Sequence, residues 1–165
     1  MILFFEDNFI KISLSNNSII YALITEVAYY ENNNMYRERF CPKADSIILV
    51  YDITKRYTFE ECKNYYCNLI NKFSKRNVKV ILIGNKSDLK DKREISYEEA
   101  LNFADSNNYY YIETSCIQNK NVFEVFERMI IEVYKDIKEF KEKQDVINLQ
   151  KINTYKMNRR QKGCV

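Results

Sequence analysis

Three mainly apolar segments from residue 46 onward predict strands, and the first of them is a continuous apolar run. They read SIILVYDIT (46–54), NVKVILIG (77–84) and YYYIETS (109–115), and a turn or polar loop follows each of them. A strand of a parallel sheet is covered on both faces, so an unbroken apolar run suits it better than strict alternation. Two earlier segments, FIKISLS and SIIYALIT, flank Asn16 and Asn17 and predict a hairpin with a tight polar turn.

Apolar residues spaced three and four apart predict helices after these strands. The buried face of the first helix is predicted to consist of Phe59, Cys62, Tyr66, Leu69, Ile70 and Phe73. Ser96 and Glu99 predict a capping box for the second helix, and Asn121 and Glu124 repeat that signature before the third. The face of the third helix is predicted to consist of Phe123, Phe126, Ile130, Tyr134 and Ile137. A hairpin followed by alternating strands and helices indicates an α/β fold with a parallel sheet.

Composition narrows the chemistry that this fold can carry. The 165 residues include five cysteines and no histidine, which fits reduced cytosolic thiols and excludes Ser-His-Asp and Cys-His catalysis. The apolar runs are far shorter than the roughly 20 residues of a membrane-spanning helix, and a signal peptide is not expected. The net charge of +3 is too small to indicate nucleic acid as a partner. We predict one domain, residues 1–143, and a flexible basic tail, residues 144–165.

Polar residues follow the second and third predicted strands, where a parallel sheet binds its ligands. Asn85, Lys86 and Asp88 come after one strand, and Ser115 and Cys116 come after the next, so we expect the two loops to be neighbours. A carboxylate at Asp88 can accept from both N1–H and the N2 amine of guanine. Adenine lacks that amine and would leave the carboxylate unpaired. The stem of Lys86 can cover the base, and backbone N–H groups near Cys116 can donate to O6. The alternative is that NKSD is only a hydrophilic turn.

These motifs resemble the Rab branch of the Ras-like small GTPases. GNKSDL is similar to the guanine-specificity motif of that family, and ETSC is similar to its partner loop, with Cys116 where alanine is usual. Rab sequence is also resembled by three further segments, IILVYDIT, KREISYEEALNFA and NVFEVFERMI. The whole resemblance runs from about Phe9 to Ile137. The resemblance implies a P-loop-NTPase-like, doubly wound, mostly parallel sheet with an antiparallel edge hairpin, and GTP or GDP with Mg²⁺ as ligands. It implies a nucleotide site formed by Asn85, Lys86, Asp88, Ser115, Cys116 and Ile117.

The phosphate-binding part of the family pattern is absent from these 165 residues. The family holds phosphates with G-x-x-x-x-G-K-[ST], whereas Gly84 and Gly163 are the only glycines here. The first strand, the phosphate loop, the first helix and most of the first switch have no counterpart. Against the second switch of the family, Glu26 stands at the metal-binding acid, Tyr29 at the glycine and Tyr30 at the catalytic glutamine. Glu26 is thus the one metal candidate, no catalytic residue is intact, and GTP hydrolysis by this chain is not expected.

Loss of a central strand leaves three explanations for the sheet. Residues 20–24 pair directly with residues 47–50, or MILFF serves as a surrogate strand, or the gene encodes a longer protein. We prefer the third explanation. In each case the chain alone is expected to be marginally stable, because the missing strand exposes apolar strand edges.

The end of the chain bears on partners and location. Rab tails usually end in geranylgeranylated cysteines, whereas this chain ends in GCV with a single penultimate Cys164. One lipid at Cys164 and the basic residues of 151–162 would hold the protein on an anionic membrane; the alternative is a solubilising tail. The resemblance implies effectors and regulators of vesicle transport as partners, and a cytoplasmic location, peripheral on the cytosolic face of endomembranes.

Two functions from different classes follow from the sequence. The preferred one is a guanine-nucleotide switch in vesicle trafficking, and the other is a nucleotide-independent interaction module, a pseudo-GTPase. A Ras-type signalling GTPase would differ from the first in its partners rather than in its chemistry.

Overall fold

The computed structural model describes residues 9–13, 19–26, 41–75 and 78–139. Strands β1 (Phe9–Ser13) and β2 (Ile19–Leu23) form the predicted antiparallel hairpin. Its turn, and with it Asn16 and Asn17, lies outside the described residues. Exposure alternates along β2, and the side chains that are at least half exposed are Ile19, Tyr21 and Leu23. The hairpin therefore presents an apolar stripe on one face.

The three later runs form a separate parallel sheet, as predicted. It contains β3 (Ser46–Asp52), β4 (Lys79–Asn85) and β5 (Tyr110–Thr114), in that spatial order. Each strand runs parallel to its neighbour, and the register places Asp52 beside Asn85 and Asn85 beside Thr114. The carboxyl ends of all three strands are thus level at one edge of the sheet.

Helices follow each strand of this sheet. The first segment comprises α1 (Arg56–Glu61), a π-helical turn (Cys62–Tyr66) and α2 (Cys67–Phe73). Helix α3 is Tyr97–Ser106, helix α4 spans 122–139, and short 3₁₀ turns occur at Cys41–Lys43 and Lys90–Lys92. The first of two compact units, Met1–Ile130, contains both sheets, and residues 131–139 of α4 belong to the second. No helix in the described ranges has the length and apolar character needed to cross a membrane.

The predicted cap of α3 forms, and that of α4 does not. The Glu99 N–H donates to Ser96 Oγ at 3.0 Å, although the Glu99 carboxylate binds Arg56 instead of returning to the cap. Asn121 has a positive φ of 58°, and its side-chain amide donates to the Glu113 carbonyl at 2.8 Å. Asn121 therefore ties the helix start to β5 rather than capping it.

The π turn changes which residues of the first helical segment are buried. Phe59, Cys62 and Ile70 are buried as predicted, but Cys67 is also only 6% exposed. A π turn holds one residue more than an α turn, so positions five apart lie on one side across it. The prediction assumed a constant α-helical period and therefore missed Cys67.

In α4 the predicted face was wrong at Phe123 and Ile137, which are 66% and 42% exposed, whereas Val125 and Met129 are buried.

Apolar residues cover both faces of the parallel sheet. Along β4, Val80 and Leu82 join a core cluster with Phe59 and Ala100, whereas Ile81 and Ile83 join a second cluster. The second cluster also contains Ile112, Val125 and Met129. Alternate residues of a strand point to opposite faces, so a strand with a core on each side needs the unbroken apolar run seen in the sequence.

Within the part of the chain that the structure describes, strand β3 has a hydrogen-bonded partner on one edge only. Among the described strands β3 pairs with β4 alone, and β2 pairs with β1 alone. The direct pairing of residues 20–24 with residues 47–50 is therefore wrong for these strands. The proposed surrogate strand, MILFF, and the tail from residue 140 lie outside the described residues, and the longer gene product stays a prediction.

Candidate guanine-binding site

The structure brings the two predicted loops together. Because Asn85 and Thr114 are register partners at the ends of β4 and β5, their side chains meet, and Thr114 Oγ1 donates to Asn85 Oδ1 at 3.1 Å. The Ser87 N–H donates to the Thr114 carbonyl at 3.0 Å, which continues the strand pairing into the loop. The adjacency expected from the sequence is thus present, and Asn85 ties one loop to the other.

Asp88 is held in place by a serine of the opposite loop. Ser115 is completely buried, and its hydroxyl donates to Asp88 Oδ1 at 2.5 Å while accepting from the Gln118 N–H at 3.1 Å. The second carboxylate oxygen of Asp88 has no hydrogen-bond partner in the parts of the chain that the structure describes. Asp88 is half-buried. It therefore presents a fixed acceptor at the edge of the sheet.

Lys86 is fixed at both ends of its side chain. Its φ of 66° lies in the left-handed region, and its Nζ pairs with Asp52 Oδ2 at 2.6 Å. The hydrogen bond that the Lys86 ammonium donates to Asp52 raises the pKa of Lys86. Burial alone would raise the pKa of Asp52, but the hydrogen bonds from Lys86 and Thr54 outweigh it and keep that pKa below its usual value. Sequence reasoning missed Asp52, although the parallel register of β3 and β4 places it directly beside Asn85.

Cys116 and Ile117 lie on the exposed side of the second loop. Ser115 and Lys120 exchange backbone hydrogen bonds of 3.1 and 2.9 Å, which closes a short turn between them. Ile117 lies within this turn and is 88% exposed. Cys116 is also exposed, and its thiol donates to Asn85 Oδ1 at 3.8 Å. Cys116 therefore lies beside Asn85, next to the position predicted for the base.

A buried polar network lies beneath this edge of the sheet. Arg93 binds Glu113 through two hydrogen bonds of 2.6 and 2.9 Å, and Tyr111 donates to the same carboxylate at 3.1 Å. The hydroxyls of Tyr111 and Tyr51 lie 2.9 Å apart. Burial would raise the pKa of Glu113, but the hydrogen bonds from Arg93 outweigh it and lower that pKa. Burial raises the pKa of both tyrosines, so both hydroxyls stay protonated.

Gly84 gives this network its space. A Cβ at Gly84 would lie 2.9 Å from the hydroxyl oxygens of both Tyr51 and Tyr111 and 3.1 Å from Ile53 Cγ2. Any side chain at this position would therefore displace one of the hydroxyls. The glycine directly before the base loop is required by packing, a role that the sequence pattern did not reveal.

Comparison with known proteins agrees with this geometry. The family model described as "Ras family" matches residues 4–135. The chain belongs to the Ras family of small GTPases. It is 35% identical to the Ras-related protein RABA6a of Arabidopsis thaliana over 72% of this chain and 51% of that protein. It is 32% identical to the Ras-related protein Rab11B of Nicotiana tabacum over 73% of this chain and 55% of that protein.

The relatives include more than one branch of the family. The chain is 30% identical to the GTP-binding protein Rheb of Mus musculus over 79% of this chain and 71% of that protein. The chain spans about half the length of the plant relatives that it matches. Membership of the family confirms the resemblance and the P-loop-NTPase-like α/β fold expected from the sequence.

The metal and phosphate part of a Ras-family site is not assembled by the described residues. Glu26 follows β2 and is 3% exposed, and its Oε1 has no hydrogen-bond partner among these residues. Burial raises the pKa of Glu26, which disfavours the ionised form that Mg²⁺ binds. The described ranges contain no group of three or more acidic or cysteine side chains that could hold a metal ion. The described residues by themselves therefore do not fit Mg²⁺. Tyr29, Tyr30 and Cys164 lie outside them.

Proposed function

We propose that this Ras-family protein binds guanine nucleotides through their base and that Asp88 selects guanine. The observation that carries the proposal is the hydrogen bonding of the two Asp88 carboxylate oxygens. Ser115 holds one of its oxygens at 2.5 Å, and the other has no partner among the described residues. Lys86 lies beside it on the same loop. A carboxylate held in this way before the ligand arrives loses little entropy on binding.

The chemistry of the carboxylate favours guanine over adenine. The N1–H and the N2 amine of guanine are adjacent donors on one edge, and a carboxylate can accept from both. Adenine has an acceptor at N1 and no amine at C2, so it would leave Asp88 facing a lone pair. Discrimination of this kind is strong because a buried polar group left unpaired is costly.

The phosphates are expected to contribute little affinity in this chain. The sequence contains no G-x-x-x-x-G-K-[ST], and Tyr30 stands at the position of the catalytic glutamine, so the chain as given is not expected to hydrolyse GTP. Base recognition alone supplies about −0.3 kcal/mol per ligand atom. We therefore expect dissociation constants nearer about 1 mM, roughly −4 kcal/mol, than the nanomolar range.

We further propose that the gene product is a Rab-like regulator of vesicle trafficking. The Rab-like segments YDIT and REISYEEA and the similarity to RABA6a and Rab11B support this. Its proposed partners are effector and regulator proteins, and its proposed location is the cytoplasm, at the cytosolic face of endomembranes. A lipid on Cys164 would strengthen attachment of the basic tail. Mass spectrometry of the native protein tests this last step, since an unmodified Cys164 would refute lipidation.

Two titrations test base recognition. In the first, the purified chain is titrated with guanosine, GMP, GDP and GTP, with and without Mg²⁺, and the four affinities are expected to agree. In the second, the Asp88→Asn variant is compared with the wild-type chain for GMP and xanthosine monophosphate. An amide N–H₂ can face the carbonyl at C2 of xanthine, so preference should move toward xanthine. Unchanged preference would show that this loop does not select the base.

The exposed stripe of β2 favours the second candidate function. Ile19, Tyr21 and Leu23 are 50%, 62% and 65% exposed, which suits a nucleotide-independent interaction module. Binding of a protein partner that differs between GTP and GDP would exclude this candidate.

A further inference from the structure

We propose that Asp52 is a positioning residue for the base, because it holds the aliphatic stem of Lys86 where that stem covers one face of guanine. Asp52 lies at the end of β3, outside both loops that the sequence marks for base recognition. The inference rests on the proposed function. It adds a third strand to a site that the motifs confine to β4 and β5.

Asp52 is itself held rigidly. Its Oδ1 accepts from the Thr54 N–H at 2.9 Å and from Thr54 Oγ1 at 2.7 Å, while Oδ2 is left for Lys86. Its backbone N–H donates to Thr58 Oγ1 at 3.0 Å. Thr54 in the loop before α1 therefore orients the carboxylate, and Thr58 in the first turn of α1 fixes the backbone that carries it.

The ion pair determines what Lys86 presents to a ligand. The left-handed backbone of Lys86 fixes one end of the side chain, and the contact of 2.6 Å with Asp52 fixes the other. The ammonium charge is neutralised there, so the exposed part of the side chain is its hydrocarbon stem. A stem of this kind suits the flat face of an aromatic base rather than a phosphate.

A double-mutant cycle tests whether Asp52 acts through Lys86. GMP affinity is measured by NMR titration for the wild-type chain, Asp52→Asn, Lys86→Met and the double variant. Asp52→Asn is expected to weaken GMP binding about three- to fivefold, the range that the loss of one exposed ion pair supplies. In the Lys86→Met background the same change should have no further effect, because no ammonium is left to hold. An equal loss in both backgrounds, or no loss in the wild-type background, would overturn the inference.

Asp45→Asn is the matched control. Asp45 precedes the same strand and pairs with Lys75 at 2.7 Å, so the substitution removes the same charge and a lysine ion pair, here a more exposed one, at the other end of β3. It should leave GMP affinity unchanged. A loss equal to that of Asp52→Asn would show a general charge effect and overturn the inference.

A ligand-free measurement separates this inference from the proposed function. ¹³C relaxation of the Lys86 methylene groups should show a restrained stem in the wild-type chain and in Asp45→Asn, and a mobile stem in Asp52→Asn. Equal mobility in all three would overturn the positioning role even where GMP binds selectively. Equal binding of GMP and AMP by the wild-type chain would instead overturn the proposed function, and the base-positioning role with it.

Discussion

The ends of β4 and β5 and the end of β2 differ in how their acidic side chains are supported. Asp88 accepts a hydrogen bond from the Ser115 hydroxyl, and Glu113 accepts hydrogen bonds from Arg93. Glu26 is more fully withdrawn from solvent than either Asp88 or Glu113, yet one of its oxygens has no partner among the described residues. Support for a buried carboxylate marks a site that the fold maintains, because an unsupported one costs stability. The comparison indicates that the described residues support the carboxylates at the proposed base site and leave the acid at the metal position unsupported.

Gly84→Ala is expected to cause the largest loss of stability, because it disturbs the buried tyrosine hydroxyls of the network that supports Glu113. The new Cβ would lie 2.9 Å from two buried hydroxyl oxygens, and the tyrosine rings that carry them are packed in the core. Overpacking of this kind costs about 1–3 kcal/mol, and we expect the upper end. Urea unfolding measures the change. In a Tyr111→Phe background the same substitution should cost less, and an equal cost there would contradict the proposed clash.

Arg93→Gln tests whether the ion pair supports Glu113. Both side chains are mostly buried, with exposures of 23% and 12%, and we expect a loss of about 2 kcal/mol at pH 7. The folded-state pKa of Glu113 lies below its ordinary value of 4.5, so its stabilising contribution is complete above about pH 4.5 and disappears as the pH falls through the lowered pKa.

The stability difference between the wild-type chain and Arg93→Gln is therefore expected to depend on pH. Without Arg93, burial raises the pKa of Glu113 in the variant, so the stability difference between the wild-type chain and Arg93→Gln should be largest near pH 7. It should narrow as the pH falls through that raised pKa and then through the lowered wild-type pKa. Urea unfolding at several pH values measures it. A difference that widened in acid would mean that Arg93 does not stabilise the ionised carboxylate.

Glu26→Gln should change the free energy of unfolding at pH 7 in the opposite direction from Arg93→Gln. Burial raises the folded-state pKa of Glu26 above 4.5, so the ionised form is destabilising at neutral pH and wild-type stability is recovered as the pH falls toward 4.5. The neutral variant should be more stable by about 1 kcal/mol at pH 7, with a gap that closes in acid. Lower stability of Glu26→Gln at pH 7 would show that the carboxylate has a charged partner outside the described residues.

The sequence predicted those features that depend on periodicity and strand order. Mainly apolar segments located β3, β4 and β5, and the parallel order was sufficient to place Asn85 near Ser115. The π turn was not predicted, because a period argument assumes one helix geometry, and Cys67 was missed with it. Asp52 and the tyrosine pair under Gly84 were missed because they depend on side-chain distances across strands, which the pattern of a single strand does not contain.

The smallest expected effect is that of Ser87→Ala, which is best compared with Ser115→Ala in the other base loop. Ser87 is 3% exposed, and its hydroxyl has no partner among the described residues, whereas Ser115 binds both Asp88 and the Gln118 N–H. Ser87→Ala removes an unpaired hydroxyl and keeps the backbone bond to Thr114, so its free energy of unfolding should change by no more than about 0.5 kcal/mol. Ser115→Ala should cost about 1–2 kcal/mol and weaken GMP binding, because Asp88 loses its support. Urea unfolding and GMP titration of both variants measure the contrast; equal losses would mean that the Ser87 hydroxyl has a partner of its own and that the two loops are supported alike.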